Sequence, residues 1–87
     1  MAKGKWFKEG AECWVYSTLE INTIPITHLH WVSKGHIKKI GRKWTEVVVN
    51  YYNESAPFLT DSEVFYSLGQ IRRRYGNDFE IRDEKWS

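Results

Sequence analysis

The sequence has one cysteine, two prolines and no long apolar run in its 87 residues. A lone thiol, Cys13, excludes an internal disulfide and any paired-cysteine zinc knuckle. A membrane-spanning helix needs about 18 or more consecutive apolar residues, and no stretch approaches that. The opening MAKGKWFKEG is charged throughout and lacks the apolar core of a secretory signal. These absences predict a soluble, intracellular, cytoplasmic protein with no membrane partner. Also missing are a glycine-rich phosphate loop, a GxSxG elbow and carboxylate pairs at a spacing that would fix them on one element. Cys13 has His28, His30 and His36 as conceivable partners, but it lies in an apolar alternating segment and reads as a buried structural thiol. His28 and His30 project from one face of a strand. Zinc sites usually take four donors, so these two read as polar strand residues and no metal is expected. The expectation is a non-enzyme with no cofactor and no small-molecule substrate.

Aromatic residues, by contrast, are plentiful: five Trp, five Tyr and four Phe. A domain this small buries roughly 60–70% of its extended surface, while each ring needs about 150–250 Å² of cover. Some rings should therefore lie half-buried or serve as a working surface. The net charge is only +2, but charge comes in blocks. Residues 3–8 hold three lysines, 9–20 three glutamates, 34–43 five cations, 46–63 four acids, and 72–74 three arginines. Such blocks can fold into one basic and one acidic face. Without repeats, linkers or low-complexity tracts, the chain divides into a basic N-terminal extension (1–9) and a single domain (10–87).

The segment AECWVYSTL alternates, placing Ala11, Cys13, Val15 and Leu19 on one face and Trp14 and Tyr16 on the other. Pro25 denies NTIPIT a central-strand role, so 22–27 reads as a loop ordered by Ile24 and Ile26. A second strand runs from about His28 to Ile40, bent at Ser33–Gly35. Between it and the valine-rich WTEVVV, a three-residue loop Gly41–Lys43 puts Ile37 opposite Val47, Lys38 opposite Glu46 and Ile40 opposite Trp44. That register matches apolar with apolar and pairs opposite charges, whereas a two-residue turn does neither. Thr45, Val47, Val49 and Tyr51 then face inward, while Lys38, Trp44, Glu46 and Val48 face outward. NESAP reads as a polar loop. Short apolar segments follow at Phe58–Leu59 and Val64–Tyr66. In SLGQIRRRYG the period becomes helical: Ser67 and Gln70 match a capping box, Gly76 ends the element, and a helix is predicted over about 68–75. Phe79 and Ile81 alternate with Glu80 and Arg82 as a last strand.

The fold class is mainly β: a small, bent antiparallel barrel of four or five strands with one short helix before the last strand. The pattern GAECWVY, then GHIKKI, then EVVVNYY, with LGQIRRRY before the closing strand, resembles the Src-homology-3-like barrels of Tudor and KOW type over about residues 10–82. The segment 19–33 and the helix are both longer than in that pattern. A KOW-type resemblance implies nucleic acid as ligand. A Tudor-type resemblance implies a methylated lysine or arginine.

Two partner classes follow. Lys38, Lys39, Arg42 and Lys43 on the hairpin, with Arg72 and Arg73 on the helix, would meet phosphates, and Trp44 and Trp31 would stack on bases. The acidic block from Glu46 to Glu63 opposes this reading where it shares the face. Alternatively Trp14, Tyr16, Trp31 and Tyr52 would form a groove or aromatic cage for a protein or peptide. A viral or mobile-element inhibitor docking on a host protein belongs to the same class, its charge blocks steering the encounter.

Overall fold

The computed structural model describes residues 3–22, 24–51 and 53–82, with Glu20 described in its backbone only. Among these residues six strands and one helix follow in chain order: β1 (Glu12–Ile21), β2 (Thr27–Lys39), β3 (Trp44–Val49), β4 (Glu54–Leu59), β5 (Val64–Phe65), α1 (Leu68–Tyr75) and β6 (Glu80–Ile81). The sheet order is β4-β3-β2-β1-β5, with β6 beside β2. All pairings are antiparallel except that of β6, which runs parallel to β2 with Trp31 beside Glu80 and Val32 beside Ile81. The chain must cross over through α1 to reach that edge, which is why a parallel neighbour becomes possible. Among the described residues no helix is long and apolar enough to cross a membrane.

The expected closed barrel does not form. β4 and β5 are the two ends of the sheet path and do not pair, although only the short turn Thr60–Glu63 joins them. The sheet therefore curls until its ends approach, and stops short of hydrogen-bonded closure.

β2 is the spine. One edge pairs with β1 from His36–Glu12 to Thr27–Ile21. Its other edge meets β6 near Val32 and then β3 from Gly35 onward. At Gly35 both neighbours crowd in, Cys13 on one side and Val49 on the other. A Cβ there would lie 2.5 Å from the Val48 carbonyl oxygen and 2.9 Å from a Val47 methyl, so only glycine fits. Ile37 pairs with Val47 as the sequence predicts, but Lys39, not Lys38, lies opposite Glu46. Lys38 is the extra residue of a bulge, which leaves it unpaired in the ladder. Glu54–Pro57 of the NESAP segment is strand rather than loop: β4 includes Pro57, tolerated because β4 is an edge strand that needs no outward N–H bond.

The sheet buries both faces. On the concave face Cys13, Val15, Ile37, Val47, Val49, Phe58 and Val64 form the main core, covered at the rim by Trp6 and Phe7. Residues 3–9, read as an extension, thus lie against the domain. Lys3 donates to the Val64 carbonyl at 2.6 Å, and burial lowers its pKa from the ordinary lysine value. On the opposite face Tyr16, Val32, Phe65 and Ile71 form a second core under α1, with Trp14, Leu68 and Phe79 at its margin. Ile71 is the inward position of the helix. Ser67 caps it by accepting from the Gln70 amide, while the Gln70 side chain accepts from the Tyr66 amide, one residue earlier than a standard box. Tyr16 is therefore not an outward ring, and Ile24 and Ile26, both exposed, do not order their loop from inside.

Candidate functional site

The β2–β3 connection is short because Gly41 allows it. A Cβ on Gly41 would fall within the van der Waals shell of the Trp44 carbonyl oxygen. The loop is then fastened from β4. The Thr60 amide donates to the Lys43 carbonyl at 2.9 Å, and the Thr60 hydroxyl donates to the Gly41 carbonyl at 2.9 Å. A hydroxyl has one proton, so in the 2.8 Å contact between Thr45 and Thr60 the Thr45 hydroxyl is the donor. Both threonines are buried. Nothing in the local pattern signals this clasp: Thr60 simply follows the apolar pair Phe58–Leu59.

Held on this clasp, Lys38, Lys39, Arg42 and Lys43 are all exposed. None makes an ion pair among the described residues. Trp44 follows directly, 49% exposed. Thr45 points inward, so Trp44, Glu46 and Val48 share the outer face. Trp44 lines an open cleft of about 320 Å³ with Lys39, Ile40, Gly41, Glu46 and Pro57. One carboxylate therefore stands inside the cationic rim, directly across the ladder from Lys39.

The arginine run adjoins the same clasp through the turn after Thr60. Arg74 donates to the Asp61 carbonyl at 3.1 Å, and Tyr75 donates its hydroxyl to the Ser62 carbonyl at 2.7 Å. The turn 60–63 thus has the hairpin loop on one side and the carboxyl end of α1 on the other. Arg72 and Arg73 are exposed on that helix. Asp61 acts on Lys3 and so belongs to a mixed-charge neighbourhood rather than a purely basic one. Thr60 is the member of this arrangement that sequence reasoning did not single out; its only signal was a threonine at a strand end. Arg74, read with Arg72 and Arg73 as one cationic run, is the arginine that the turn engages.

Trp31 does not join it. Trp31 lies across from Ser17 and shares the concave face with Ser33 and Ile37; it packs edge-on to Phe58 at 6.4 Å between ring centres. Trp44 is on the other face, so the two indoles cannot stack on one strand of ligand. The same parity separates Trp31 from Trp14 and Tyr16. Tyr16 is buried, stacked on Tyr75 at 4.0 Å and bonded through its hydroxyl to His30 Nδ1 at 2.6 Å. These rings make no common cage. Tyr52 lies outside the described residues.

His30 is occupied by Tyr16, and no group of three or more His, Cys, Asp or Glu that could hold a metal occurs among the described residues. Cys13 is buried, and burial pushes its thiol up to about 12, which makes it a poor nucleophile. No protein-family model, curated protein or solved structure matches this chain.

Proposed function

We propose that the chain is a non-enzymatic nucleic-acid-binding module that grips phosphates with the β2–β3 hairpin loop and stacks a base on Trp44. The observation that carries this reading is the clasp. Four cations with no ion pair among the described residues and one half-exposed indole are mounted on a loop fixed by Thr60, so little order has to be gained on binding. Lys38, Lys39, Arg42 and Lys43 neutralise phosphates, and Arg72 and Arg73 extend the track past the turn 60–63. A strand able to unstack a base onto Trp44 is favoured over a duplex, because stacking needs a free base face. The meander β1–β4, with β5 returning beside β1, supports the resemblance to Src-homology-3-like barrels, and its KOW-type form carries the same ligand class.

Fluorescence anisotropy with a labelled mixed-sequence single-stranded oligonucleotide tests this. Arg42→Ala with Lys43→Ala should weaken binding by about tenfold or more, near 1.4 kcal/mol. Arg72→Ala with Arg73→Ala should weaken it less. Unchanged affinity in the hairpin variant would remove this site from consideration.

A further inference from the structure

The cleft beside Trp44 holds one side chain that phosphate gripping does not explain. Glu46 stands two residues along β3 on the same outer face, about 7 Å from Trp44 at the usual strand rise. A carboxylate there repels phosphates, so a loop built only to hold a backbone gains nothing from it. Its neighbours do not engage it. Lys39 is its ladder partner on β2, yet no ion pair joins them. Pro57 is its partner on β4 and has no N–H to offer. Among the described residues the half-buried Glu46 carboxylate makes no hydrogen bond or ion pair. Of the side chains lining the cleft, Lys39 and the Trp44 indole can only donate, and Glu46 alone accepts.

We propose, resting on the nucleic-acid reading above, that Glu46 and Lys39 read the edge of the base stacked on Trp44 and select guanine. A carboxylate has two oxygens and is matched best by two parallel donors. Guanine is the one ordinary base whose Watson–Crick edge sets two donors side by side, N1–H and the N2 amino group. Beside them lies an acceptor, O6. Ladder partners stand about 4.5–5.5 Å apart at Cβ, so the cleft presents a carboxylate for the two donors and an ammonium for O6 together. Adenine and cytosine offer one amino group next to a ring-nitrogen acceptor. Thymine and uracil offer one N–H between two carbonyls. In each of these the second carboxylate oxygen meets an acceptor and is repelled. Stacking on Trp44 tolerates any base, because every base has a π-face. The choice among bases falls to Glu46.

Fluorescence anisotropy with four single strands of equal length tests this: a thymine homopolymer and alternating GT, CT and AC strands. The wild-type chain should bind the GT strand about fivefold or more tighter than the other three, within the range a bidentate base contact supplies. Glu46→Gln trades one acceptor oxygen for an amide donor. It should lose the guanine preference and bind the thymine strand more tightly, since an anionic charge leaves the cationic rim. Equal wild-type affinity for all four strands, or a guanine preference that survives in Glu46→Gln, would overturn the proposal and leave phosphate gripping by the loop standing. Binding to none of the strands would overturn the nucleic-acid reading and this proposal with it.

Discussion

The two hairpins built on β2 use the same strand and present opposite surfaces. At its amino end, among the described residues, β2 pairs with β1 alone to form an arm whose exposed apolar residues are leucine and isoleucine. At its carboxyl end β2 pairs with β3 in a loop of lysine and arginine, tied down by Thr60. The difference is one of support. A cationic loop is soluble by itself, but it grips a ligand well only when fixed, and two buried hydroxyls and a backbone amide fix it. The apolar arm instead leaves Leu19 and Ile21 exposed toward its end. Gly35 stands between the two regimes, at the point where the outer edge of β2 changes partner from β6 to β3.

The comparison breaks most completely at that joint. Gly35→Ala places a methyl against the β3 backbone, and overpacking of this kind costs about 1–3 kcal/mol. The backbone oxygen cannot rotate away as a side chain can, so the upper end of that range is expected. Urea denaturation should show a lower midpoint with an unchanged slope. An unaltered midpoint would mean that β3 does not approach β2 this closely.

Thr60→Val sharpens the contrast between tied and untied hairpins. It keeps the shape but leaves the Gly41 carbonyl and the Thr45 hydroxyl without partners, at a cost of about 1–3 kcal/mol. Amide hydrogen exchange should speed up in residues 41–44 and stay unchanged in the arm. Equal acceleration in both would show that the clasp serves general stability rather than the loop.

The remaining effect is confined to alkaline solution. Burial holds the Cys13 proton to about pH 12, and it also raises the pKa of Tyr16. The unfolded chain releases its thiol proton from about pH 8.5. Stability is therefore complete below that value and declines as pH climbs toward the folded value. Cys13→Ala should flatten the decline in thermal melts recorded above pH 9. A wild-type slope in that variant would place the thiol in contact with solvent.

Much of this fold can be read from local pattern. The Pro25 loop, the Ile37–Val47 register, the inward parity of Thr45, Val47 and Val49, and the helix started by Ser67 all follow from short-range rules. The misreading of Tyr16 as an outward ring has one cause, which is that alternation assumes a sheet with a single buried face. Tyr16 sits on the face that alternation assigns to solvent, and α1, arriving about fifty residues later in the chain, covers it. The bulge at Lys38 was invisible because Lys38 and Lys39 are equally good partners for Glu46. Of the site, the hairpin cations and Trp44 were legible from charge and register. The exclusion of Trp31 depends on its seat against Phe58, a contact between strands distant in sequence.

The salt dependence of oligonucleotide binding tests the central claim most directly. With four to six phosphates neutralised on a single strand, log affinity should fall against log salt with a slope of about −3 to −4. Arg42→Ala with Lys43→Ala should make the slope shallower by about 1.4, whereas Trp44→Ala should lower affinity without changing it. A flat salt response, or no binding to single strands at low salt, would contradict the account.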